Sequence, residues 1–223
     1  MKITRSSALR GLGFVSLAAG ALAILCCAHT AMVTIPPVVD LSSYGAVGLV
    51  DFVSQSPGQL GKDATRKFIN NLHAAQPGMR ILEIGGQADI LRELGYDKLD
   101  FQSIKAIGKH FGVAAVVTGT VELSQPQPDI SASTYLKGLT AAVKAKVKGS
   151  MSAELRETAS GATTWSNSSS GTWTVGGLSL DSNGGISAGY SYPKEKQDEI
   201  LVELVRALNG DFWPSYEKRN IRE

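Results

Sequence analysis

The sequence predicts a layered α/β domain: a mixed β-sheet, about four helices, and an amphipathic helix near the C-terminus. Three observations predict it. Short β-branched runs alternate with segments of helical period through the first half of the chain. From Val143 to Arg156 apolar and polar residues alternate strictly, the period of a long half-exposed strand. Near the end, Ile200, Leu201, Leu204, Val205 and Leu208 recur at helical spacing, as one buried stripe requires. The order β-α-β-α-α-β-β-β-hairpin-α then calls for helices layered on a sheet.

The elements follow in order behind an N-terminal leader. Lys2, Arg5 and Arg10 precede an uncharged run from Gly11 to Ala28 rich in Ala, Gly and Leu, the pattern of a bacterial export signal over residues 1–27. The chain's two cysteines, Cys26 and Cys27, stand together at its end. This suggests a lipoprotein signal acylated at Cys27, with Cys26 the alternative site. Ordinary cleavage near Ala28 and an uncleaved anchor are the other two outcomes, because the run is close to the ~20 residues of a membrane span. All three export the body. Residues 28–45 read as an extended tether, since Pro36-Pro37 exclude helix. The body is expected over 46–213, with a tail over 214–223.

Within the body, Ala46–Val53 is a β-type run. A helix is expected from about Leu60 to Ala75, where Ala64, Phe68, Leu72 and Ala75 share a face, and Pro77-Gly78 stops it. Met79–Ile84 is a second strand, and Gly85-Gly86 leads into a helix over Gln87–Leu94 ended by Gly95. Asp100 caps a helix carrying Ile104, Ile107 and Phe111. Val113–Leu123 is strongly β-branched and reads as buried on both faces at its start. After the long alternating strand, Ser160-Gly161 turns into a short partner strand over Ala162–Ser166. A Ser/Gly-rich spacer follows, then a hairpin over 172–192 turning at Asp181–Gly185. The closing helix spans about Glu195–Leu208, with Asn209-Gly210 at its end.

Bulk composition narrows the function. Taking Lys2, Arg5 and Arg10 from the 22 basic residues leaves 19 against 20 acids, so nothing electrostatic attracts the body to nucleic acid. A body without cysteine has no disulfide framework and depends on its core. Hydrophobic residues make up 43% of the chain, enough to build one.

Several strings, in this order, resemble a group of bacterial envelope lipoproteins that includes CsgG, LpoB and the N-terminal domain of TolB. The strings are Val47–Phe52, then Ile81–Ile84 with the helix QADILREL, then AIGKHFGVAAVVTGTVEL, and finally AELRETASGATTWS. The likeness covers most of Val47–Leu208. It implies a small periplasmic domain, usually without catalytic residues, acting through oligomerisation or partner contacts. The region Gln125–Ala142 departs from the group, since it does not match the first membrane hairpin of the curli channel.

The candidate chemistry is sparse. Glu83 with Gly85-Gly86 is similar to the cofactor turn of S-adenosylmethionine methyltransferases, but Gln87 and Ala88 stand where further glycine is needed. A plain strand-to-helix turn is the simpler reading. His29, His73 and His110 have no metal-ligand spacing, the latter two sitting near helix C-termini where histidine is favoured electrostatically. No G-x-S-x-G elbow or phosphate loop occurs. No metal or cofactor is expected.

Contacts with other macromolecules fit better. Lys144, Lys146 and Lys148 form a basic stripe on the long strand, a solvated face or a surface for anionic lipid or an acidic partner. Trp173, Val175, Leu178, Leu180, Ile186 and Tyr190 alternate with small polar residues in the hairpin, apart from a slip at Gly176-Gly177. Each arm approaches the ~9–11 residues of a tilted membrane strand. Such a hairpin could cross a bilayer only in a closed ring of copies. The expectation is thus an exported, membrane-anchored, non-enzymatic envelope protein whose partners are envelope proteins or copies of itself. A secretion pore and a cofactor-binding enzyme are the alternatives.

Overall fold

The computed structural model describes residues 29–56, 58–128, 143–178 and 193–221. The described residues divide into two compact units: one within 36–214, and one formed by 29–35 with 215–221.

The larger unit is built on a six-stranded mixed sheet. Strand β2 (Ala46–Asp51) lies between β3 (Arg80–Gly86) and β4 (Ala115–Leu123), parallel to both. β6 (Val143–Glu157) runs antiparallel to β4 and pairs on its other side with β7 (Thr163–Leu178). The two-residue β5 (Gln127–Pro128) also pairs with β6. Helices α1 (Leu60–Ala75), α2 (Gln87–Leu94), α3 (Phe101–Phe111) and α4 (Lys194–Leu208) complete it. The layered α/β class read from the sequence is the observed one.

Two cores form because parallel strands between helix layers bury both faces. On one side α1 and α4 meet Val47, Leu49, Val117, Val147, Met151 and Leu155. Phe68 of α1 lies at its centre, its ring 5.2 Å from that of Phe52 and 6.4 Å from that of Phe212. On the other side α2 and α3 set Ile90, Ile104 and Ile107 against Val50 and Val116.

Local chemistry fixes the helix ends. Asp100 accepts from the Gln102 and Ser103 backbone N–H groups, while the Ser103 hydroxyl bonds the Asp100 N–H in return, a reciprocal cap. Gly112 closes α3 at φ +68°, the left-handed region that glycine enters without strain. Gly108 packs so closely on Thr158 that a Cβ there would lie 2.3 Å from the threonine Cβ. That threonine hydroxyl in turn bonds the Val113 and Ala114 carbonyls.

The stretch expected as a tether divides between the two units. Residues 36–45 belong to the larger one: Leu41 is fully buried, within a 3-10 turn over Leu41–Tyr44. The Gln76 amide accepts the Leu41 N–H and donates to the Val39 and Phe212 carbonyls. Ahead of it, β1 (His29–Ile35) pairs antiparallel with β8 (Ser215–Ile221) over seven residues. Ser215–Ile221 of the stretch read as a tail is therefore a strand, and this ribbon is the described part of the second unit.

A second difference concerns β7. The sequence suggested a short partner strand, a Ser/Gly spacer and a new hairpin. The structure joins the partner strand, the spacer and the start of the hairpin's first arm into one continuous strand, Thr163–Leu178, paired with β6 along its length. The hairpin's turn and returning arm, 181–192, lie outside the described residues. Its spacer residues dock on α4: the Asn167 amide donates to the Leu208 carbonyl and the Ser169 hydroxyl to that of Leu204.

Candidate functional site

Alternation along β4, β6 and β7 sorts side chains onto two faces. One face is the core beneath α1 and α4. On the other, α2 and α3 cover only the β3–β2–β4 half, and the remainder is lined by hydroxyls. Cross-strand register builds it in rungs: Thr118, Glu154 and Ser166 form one, Thr120, Ser152 and Ser168 the next, and Glu122, Ser150 and Ser170 a third. Thr120, Ser150, Ser166, Ser168 and Ser170 are exposed, while Ser152 and Glu154 are half-buried. The Thr120 and Ser152 hydroxyls are hydrogen-bonded at 2.8 Å. Glu154 accepts from the Arg156 guanidinium at 3.2 Å and from the Thr163 hydroxyl at 3.4 Å.

Two open cavities lie along these strands, each of about 530 Å³. The first is bounded at one end by Gln87 and Leu99, and floored by Thr120, Ser152 and Ser168. The second borders Glu122, Lys148 and Thr172. The arrangement offers many weak donors and acceptors over a wide area, without convergence of strong acids and bases. Such a surface can hold an extended partner by distributed hydrogen bonds.

The sequence-predicted residues fall on different sides of this sheet. Lys146 and Lys148 are exposed on β6, next to Thr174 and Thr172 of β7, so they extend the hydroxyl face. Lys144 continues the same strand. Val175 is buried, and half-buried Trp173 packs on the opposite core and donates its indole N–H to Glu203 of α4. These two serve helix packing. Leu178 ends β7. Leu180, Ile186 and Tyr190 lie outside the described residues, as do Cys26 and Cys27.

Glu83 is exposed on the edge strand β3. Gly85 and Gly86 end that strand, Gly86 as the residue capping α2. None of the three lines the cavities over the hydroxyl face or the smaller one beside Asp51. His73 is exposed in the last turn of α1, and His110 lies 3.3 Å from Glu93. The hydroxyl rungs themselves were missed by sequence reasoning. The available signal was the Ser/Thr on alternate positions of two strands whose other positions are apolar.

No family model matches the chain, and no curated protein matches it. Solved structures do. The PelC dodecamer from Paraburkholderia phytofirmans is 15% identical, covers 87% of this chain and 100% of its own, and superposes with a TM-score of 0.41. Lipoprotein GNA1162 from Neisseria meningitidis is 16% identical, with 73% and 94% covered and a TM-score of 0.39. The LpoB C-terminal domain from Escherichia coli is 18% identical, with 60% and 87% covered and a TM-score of 0.36. Bacterial lipoproteins are thus among the structures this chain resembles, at a similarity too low to transfer a residue role or a function.

Proposed function

We propose that the protein is an exported, lipid-anchored, non-enzymatic component of the cell envelope, acting in secretion or envelope assembly by binding other envelope proteins or copies of itself. Its signal peptide lies within residues 1–27 and is cut before Cys27, which stays on the mature chain as the acylation site. It works in the periplasm, held at the outer membrane. The observation that carries this reading is the open hydroxyl face of β4, β6 and β7. It is broad and shallow, extended by Lys146 and Lys148, and bordered by β7, which pairs only with β6 among the described residues. An unpaired strand edge beside a polar face suits partner binding by main-chain and hydroxyl hydrogen bonds.

Site-specific photo-crosslinking in cells tests it. A photoreactive residue at Ser168 is expected to give a discrete adduct heavier than the 23.5 kDa chain, absent when the residue is placed at exposed Lys105 of α3. An adduct at twice the chain mass identifies self-association. Equal labelling, or none, at both positions would refute the face as a contact surface. Incorporation of radiolabelled palmitate tests the anchor separately, because it must vanish when Cys26 and Cys27 are both changed to serine.

A further inference from the structure

The β1–β8 ribbon has two chemically different faces, and its register decides which residues share each. In an antiparallel pair, directly opposed residues project to the same side. Met32 opposes Lys218 and Thr34 opposes Tyr216, while on the other side Val33 opposes Glu217 and Ala31 opposes Arg219. The second face neutralises itself, since Arg219 lies 3.1 Å from Glu217 and donates to it from two guanidinium nitrogens. The first face does not. Met32 is 60% exposed and Tyr216 64%, and exposed Lys218 has no carboxylate partner among the described residues. A large apolar side chain, an aromatic with a polar tip and a lone cation thus stand together on one side of a ribbon.

We propose that this face, carrying Met32, Tyr216 and Lys218, seats on an anionic lipid head-group layer beside the membrane anchor. The inference rests on the anchored reading above for what brings the ribbon to a bilayer. β1 begins two residues after Cys27, and Met32 follows that cysteine by five. At about 3.4 Å per strand residue, the face lies within roughly 17 Å of the anchoring point. Antiparallel pairing sets Lys218 directly opposite Met32, at the middle of the ribbon and at the same distance along it from the anchor. Tyrosine is favoured at the head-group level, where its ring is buried and its hydroxyl wet. Lysine reaches lipid phosphate while laying its methylenes on apolar surface. A two-stranded ribbon is marginal in water, and a lipid surface beneath one face supplies cover that the ribbon cannot make for itself.

The test uses the full chain with Cys26→Ser and Cys27→Ser, reconstituted in phosphatidylcholine vesicles with and without phosphatidylglycerol. The unprocessed precursor is used, so that its apolar leader in place of an acyl group brings the variant to the bilayer, and a failure of acylation leaves the experiment intact. A nitroxide is attached at Thr34→Cys on the proposed face or at Val33→Cys on the other. On anionic vesicles the residue-34 label is expected to collide with oxygen and be shielded from water-borne chromium oxalate, with the residue-33 label showing the reverse. Lys218→Glu should lower the lipid-contacting fraction about five-fold or more on anionic vesicles, with little change on neutral ones. Equal water exposure of both labels would overturn the proposal. So would dipolar broadening of the residue-34 label without lipid contact, which would mean that a second copy covers the face. Mass spectrometry of the extracted native protein reports acylation independently.

Discussion

Individual residues carry clear energetic assignments. Phe68 is fully buried between Phe52 and Phe212, where an aromatic deletion removes burial and leaves a cavity. Phe68→Ala is expected to lower unfolding free energy by about 3–5 kcal/mol, measured by urea unfolding of the purified protein. At α3, backbone N–H groups, Ser103 foremost, hold the Asp100 carboxyl below its ordinary value of 3.8. A carboxylate depressed in the folded state stabilises fully above its unfolded value and loses that contribution as pH falls through the folded value. Asp100→Asn should therefore flatten the stability change below about pH 4 and leave the neutral-pH fold intact. Thermal scans between pH 2 and 7 of both proteins would show it, and parallel acid curves would contradict it.

At the level of elements, legibility follows where burial lies. The residues of α1 and α2 were readable to the end because each buries one stripe and stops at a Pro-Gly or Gly signal. The alternating β6 was equally plain. What stayed hidden was pairing that buries little. β8 has exposed side chains along Ser215–Arg219, so no hydrophobic period marks it, and its partner β1 lies at the other end of the chain. The middle of β7 was hidden for another reason. Asn, Ser and Gly have poor strand propensity, but tertiary contacts override it: Asn167 and Ser169 satisfy the last-turn carbonyls of α4. The hydroxyl face shares that cause in part, since Ser168 and Ser170 lie on the stretch read as a spacer. Asn167→Ala leaves the Leu208 carbonyl without that donor and should cost about 1–2 kcal/mol, readable as a shift in the urea midpoint with an unchanged slope. A neutral result would mean that water replaces the amide.

For the whole molecule, the two compact units make different demands on truncation. Every buried hydrophobic residue among those described, from Leu41 to Phe212, lies within 36–214, so that segment holds its own core. A protein of residues 36–214 should unfold in one cooperative thermal transition. The start suggested by the sequence, residue 46, removes fully buried Leu41 and strips the Gln76 amide of the Leu41 N–H and the Val39 carbonyl. Loss of a buried leucine alone costs about 2–5 kcal/mol, a large share of the ~5–15 kcal/mol that stabilises a typical domain. Residues 46–214 should therefore melt well below residues 36–214, with Leu41→Ala in the longer protein reproducing much of the deficit. Circular dichroism melts of the three proteins decide the matter: equal midpoints would return residues 36–45 to the role of a tether.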